Sequence, residues 1–155
     1  MIFLLLFLNS TFSYGEEQYS DDTLLIEGDS IENTLDRKLK ATGNAVLKKN
    51  DRTINADLIE YDQVSDELYA IGNVSIQGGG SNLTGSSLEL SVKDNIGVIP
   101  NASFSSPLDV TSNKFNNTLR GRAKVLFLEG EDKKRLQNTS ITTCEVGQDD
   151  WFIKA

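Results

Sequence analysis

A few carboxylates set the limit on what this chain could catalyse. Asp57, Glu60 and Asp62 lie close together in "RTINADLIEYD", and Asp149 stands next to Asp150. Two carboxylates brought together across a sugar are the machinery of glycoside hydrolysis. Asp149 and Asp150 make a poor pair, because adjacent residues of an extended chain point to opposite sides. Little else supports catalysis. The chain has no histidine, so the commonest general base and metal ligand is absent. One cysteine, Cys144, cannot make a zinc cluster. There is no Gly-x-Ser-x-Gly elbow. "GGG" at 78–80 follows a strand pattern but opens no helix, so it reads as a turn rather than a phosphate loop. The expectation is a protein that is not an enzyme, with no cofactor and no metal site.

The elements that carry these residues are strands. "ATGNAVL" begins at Ala41 and "AIGNVSI" at Ala70, twenty-nine residues on. A repeat at such a period is usually one supersecondary unit stacked on the next. Ala41, Gly43, Ala45 and Leu47 share one strand face, and Ala70, Gly72, Val74 and Ile76 share the matching one. Few stretches keep a 3.6-residue apolar period for three turns, and none reads as a convincing helix. Turn signals fall at "KKND", "QVSD", "QGGGSN" and "VKDN". The fold class is therefore all-β.

The intervening strands change parity. Ile54 and Ala56 share one face before Ile59 and Tyr61 take the other; Leu83 and Gly85 precede Leu88 and Leu90 in the same way. A bulge or sharp twist moves the apolar side like this, which predicts bends near Asp57 and Leu58 and near Ser86 and Ser87. Later, Ala123, Val125 and Phe127 are expected on one face of a further strand. "WFIKA" looks like the start of another, so the chain reads as the front of something longer.

The length, 155 residues, suits one domain with a real core. With 15 Lys and Arg against 23 Asp and Glu, the formal net charge is −8. That disfavours nucleic acid as a partner. The apolar run from Ile2 to Leu8, followed by Ser13 and Gly15, has the pattern of a secretory signal. The expected organisation is a signal peptide at 1–15, a flexible segment at 16–22, a β domain at 23–143 and a linker at 144–155. In an exported protein an odd cysteine implies an outside partner or a spare thiol.

The segment from Leu24 to Val98 carries a likeness to a known family. Its apolar-acidic leading strand, its "A-x-G-N-V/A" strand starts and its "I-x-A-D-x-x-x-Y-D" resemble the OstA-like domain of the lipopolysaccharide transport proteins. The tail, with Thr142, Thr143, Cys144, Asp150, Trp151 and Ala155, resembles the stretch where the outer-membrane member leads into its β-barrel.

The resemblance implies a β-jellyroll, a twisted V of short antiparallel strands, on the periplasmic face of the outer membrane. It implies that 144–155 begins the barrel and that Cys144 forms a disulfide with a cysteine far along the chain. It implies three partners: lipopolysaccharide, a periplasmic bridge protein docked by strand addition, and an outer-membrane lipoprotein associated with the barrel. Alternation and repeat then nominate a lipid groove of Leu47, Ile54, Leu58, Ile59, Tyr61, Val74, Ile76, Leu83, Leu88 and Leu90. Leu24, Ile26 and Ile31 are expected on the partner edge. Two alternatives stay open: a soluble bridge protein of the same system, and a secreted β-solenoid that binds polysaccharide or adheres to surfaces.

Overall fold

Period-two alternation dictates strands, and a computed structural model contains no helix among the residues it describes, 23–108, 118–144, 146–148 and 151–155. The predicted signal, the segment at 16–22, and Asp149 with Asp150 lie outside these residues. The strands are β1 (Leu24–Glu27), β2 (Ser30–Asn33), β3 (Lys38–Lys49), β4 (Arg52–Asp62), β5 (Glu67–Gly78), β6 (Ser81–Ser91), β7 (Ile96–Pro107), β8 (Thr118–Glu129), β9 (Lys134–Thr142) and β10 (Ile153–Lys154). They form one antiparallel meander from β3 to β10, with β1 and β2 both laid against β3. "WFIKA" contributes β10, which joins this same sheet at Ile141 and Ser140.

The turns follow their chemistry. Gly79 and Gly80 both have positive φ, 55° and 74°, as a tight hairpin between right-twisted strands requires. At the β4–β5 turn the Asp62 carboxylate accepts hydrogen bonds from the Val64 and Ser65 amides at 2.8 and 3.2 Å. Those amides, with Lys38 nearby, hold its pKa below the ordinary 3.8. A lowered carboxylate pKa gives stability that is present above the unfolded-state value and is lost as pH falls through the folded-state value. Asp62→Asn should therefore flatten the acid side of the stability profile. Urea midpoints at neutral pH and near pH ~3 measure it; unchanged acid sensitivity would contradict this role.

The sheet is folded along a crease, and the crease is written in left-handed residues. Thr42 pairs with Leu58 and Ala45 with Ala56, so Gly43 and Asn44 of β3 oppose Asp57 alone. Gly72 and Asn73 of β5 break the pairing with β4 and β6 in the same way. Asn44, Asn73, Asn101 and Asn138 all have φ between 46° and 51° and occupy β3, β5, β7 and β9. Asparagine tolerates this region better than other side-chain-bearing residues do. The Asn44 amide donates to Asp29 at 3.0 Å, that of Asn73 to Asp57 at 3.0 and 3.1 Å, and that of Asn101 to the Ser86 hydroxyl at 3.4 Å. The predicted bends at Asp57 and Ser86 are present, and the extra residues sit in the neighbouring strands.

The crease divides each long strand between two leaves. The first leaf holds 38–42, 58–62, 67–71 and 87–91; the second holds 45–49, 52–56, 74–78 and 81–85. Their inner faces close on one apolar cluster that includes Leu47, Ile54, Ile59, Val74, Leu88, Ile99 and Leu126.

Two expectations are corrected here. Asp57 and Leu58 are consecutive outward residues, so Leu58 is only half-buried and stands outside the cluster, opposite exposed Ile71. On β8, Ala123 is buried but Leu126 and Leu128 enter the core, while Val125 and Phe127 do not. The crease crosses β8 at Lys124 and reverses its parity, as it does on β4 and β6. Phe127 instead lies under the Arg135 guanidinium, 3.8 Å from ring centre to carbon.

Candidate functional site

The isolated carboxylates of the sequence have structural partners. Asp57 receives Asn73, Glu60 pairs with Lys40 at 3.4 Å and Asp62 caps its turn. What remains is the apolar interior between the leaves.

Eight of the ten proposed groove residues are buried within it: Leu47, Ile54, Ile59, Val74, Ile76, Leu83, Leu88 and Leu90. Tyr61 is half-buried against the same cluster, and Leu58 is outside it. Small residues let the two leaves approach at the crease: Ala41, Ala45 and Ala70 are each 0% exposed. Gly85 has no room for a side chain, since a Cβ there would stand 2.3 Å from Ile99.

The interior is packed at the crease and hollow toward the strand ends. A separate cleft of about 680 Å³ runs across the outer face of the first leaf, where Lys40, Glu60, Tyr69, Glu89 and Val98 pair in one outward row, and no residue of the second leaf lines it. Two smaller hollows, about 300 and 450 Å³, open where the leaf tips meet. Leu47, Ile54 and Leu90 reach the first; Ile76, Leu83 and Leu90 reach the second. Leu90 borders all three. An apolar wall with charged rims can hold hydrocarbon inside and leave a polar head in water.

The N-terminal edge is made by β1 and β2. Leu24 and Ile26 turn inward and pack on the core, whereas Ile31 is 50% exposed. Near the other edge, which β10 forms, Cys144 follows β9, half-buried; its carbonyl accepts from the Arg120 guanidinium, with Nε at 2.9 Å. Thr142, beside it, is buried and accepts the Cys144 amide at 3.0 Å.

Sequence reasoning missed one unit of the crease. Gly28, Asp29, Ile31 and Glu32 recur as Ala56, Asp57, Ile59 and Glu60 and again as Gly85, Ser86, Leu88 and Glu89. That threefold pattern is the signal that would have located Asp29 as the partner of Asn44.

No protein-family model matches the chain. It is 30% identical over 132 residues to the LPS-assembly protein LptD of Nitrosomonas europaea and 34% identical over 135 residues to that of Azoarcus sp.. These matches cover 85% and 81% of the chain, but it spans only 17% and 16% of those relatives. LptD of Neisseria meningitidis is 26% identical over 141 residues. Among solved structures, the fold is similar to LptH, the LptA homologous periplasmic component of the lipopolysaccharide transport device of Pseudomonas aeruginosa. The TM-score is 0.59 at 10% identity, covering 86% of this chain and 94% of that one.

Proposed function

Since this chain belongs to the family of the LPS-assembly protein LptD, we propose that it is the periplasmic β-jellyroll of an outer-membrane lipopolysaccharide translocon. It receives lipopolysaccharide from a periplasmic bridge and passes it toward a barrel. The observation that carries this reading is the single apolar interior, enclosed by two charged leaves and hollow where the leaf tips meet.

The energetics are compatible with an anionic lipid. Each buried CH₂ contributes roughly 0.8 kcal/mol, so an acyl chain of about a dozen carbons contributes on the order of 10 kcal/mol before ordering costs. Repulsion between exposed like charges is about 1 kcal/mol per close pair, and salt lowers it. Burial wins if the phosphates stay outside.

Photo-crosslinking tests the reading. Ile59 and Leu88 are too tightly enclosed for a bulky probe, so the probe belongs at Leu90, which borders the hollows at the leaf tips, and at half-buried Tyr61, which packs against the cluster. Both should capture lipopolysaccharide in cells. Equal or stronger labelling at outward Lys48 would sink the interior assignment.

The N-terminal edge suits docking of the bridge protein by strand addition. Ile26 packs on the core, so a charge there would disturb folding as well as docking. Ile31→Asp, on exposed β2, should weaken bridge docking several-fold with little change in the unfolding midpoint. Undiminished docking in a pull-down would count against this edge.

Cys144 is proposed to form a disulfide with a cysteine later in the full-length protein, and an outer-membrane lipoprotein to join the barrel. The fold alone would equally suit a soluble bridge. The similarity to LptD and the "TTC" element ending at Cys144 favour the translocon.

A further inference from the structure

We propose that the seam between the leaf tips is a lateral port through which an acyl chain passes into the interior, held shut by a clasp between Arg52 and Asn95. The proposal rests on the interior being the lipid site and adds where the lipid enters and which residues control it.

Arg52 opens β4 at the tip of the second leaf; Asn95 sits in the turn before β7 at the tip of the first. Although 43 residues apart, the Arg52 guanidinium donates to the Asn95 side-chain carbonyl. Asn95 is 6% exposed, unusual for a polar turn residue, and has φ of 53°. It is fixed from behind: its amide donates to the Gly130 carbonyl at 2.7 Å, and the Gly130 amide donates to its backbone carbonyl at 3.1 Å. The acceptor is thus rigid, and the arginine is the arm that moves.

The two hollows at the leaf tips flank this clasp. Arg52 and Asn95 wall both of them, and both reach Leu90 in the core. Asp51 and Glu131 stand at both lips. Elsewhere the inner faces of the leaves meet mainly through apolar side chains, whose contact has no preferred direction. Releasing Arg52 returns a guanidinium to water, while Asn95 keeps its bonds to Gly130. Opening therefore strands no strongly charged group in the interior, as a reversible closure requires.

The test uses the whole chain with Cys144→Ser, so that introduced cysteines react alone. Arg52→Cys and Asn95→Cys are combined and joined with bismaleimidoethane; the same protein capped with N-ethylmaleimide is the open control. Stopped-flow fluorescence follows uptake of parinaric acid, an acyl probe that brightens in apolar surroundings. The linked protein should take up the probe about tenfold more slowly than the capped one. Arg52→Ala should take it up several-fold faster than Arg52→Lys, which keeps a cation able to reach Asn95; circular dichroism confirms that both are folded. Equal rates in linked and capped protein would overturn the port while leaving the interior site intact. No uptake by the unaltered chain would overturn the interior reading and the port with it.

Discussion

Gly72→Val should lower the unfolding free energy by about 2.5–5 kcal/mol. Gly72 has φ of +77°, and a Cβ there would stand 2.2 Å from the Asp57 carboxylate. The left-handed backbone costs a side-chain-bearing residue roughly 1–2 kcal/mol. Moving Asp57 aside sacrifices its bonds to the Asn73 amide, and hydrogen bonds to charged groups contribute about 1.5–3 kcal/mol. Urea denaturation measures the sum. The two causes separate in a double-mutant cycle. Asp57→Ala removes the obstruction, so Gly72→Ala should cost less in that background than in the unaltered chain. Strict additivity would mean that the carboxylate does not crowd the glycine, and only the backbone term would survive.

Leu88→Ala carries the second large effect. Leu88 is 0% exposed and belongs to the apolar cluster between the leaves. Truncating such a leucine removes transfer free energy and leaves a cavity, at a cost of about 2–5 kcal/mol. Leu58→Ala removes the same atoms from an outward, half-buried position and should cost about 1 kcal/mol or less. The comparison tests the crease, because an uninterrupted alternation would put Leu58 on the same face as Leu88's neighbours in the core. If the two substitutions cost the same, the assignment of Leu58 to the outer face is wrong.

Leu58 also shows how far the sequence could be read. The parity switch between Ala56 and Ile59 is visible in the residue types and located the bend. It also implied that Asp57 and Leu58 both face outward, yet leucine's hydrophobicity drew Leu58 into the expected groove. On β8 the same switch was hidden. Ala123, Val125 and Phe127 alternate as well as Leu126 and Leu128 do, and nothing local says that the crease crosses at Lys124. Only pairing with Asn101 and Asn138 on neighbouring strands fixes that position. The Arg52–Asn95 clasp was beyond sequence reading for a similar reason. It joins residues from different hairpins, and their meeting depends on how the folded sheet brings its tips together. By contrast, the strands and most of the buried residues followed from alternation and the repeat, because each needs only its immediate neighbours in the chain.

The column of crease residues has a consequence for how this molecule can change length. Between β3 and β7 the left-handed asparagines stand 29 and 28 residues apart, at 44, 73 and 101. Each hairpin therefore carries its own fold line and a polar group to tie it to the strand before. Loss or gain of one entire hairpin would leave the remaining fold lines in register, whereas a shift of half a hairpin would put inward residues in water. The length of the apolar interior is thus quantised: a jellyroll of this design grows or shortens by whole hairpins.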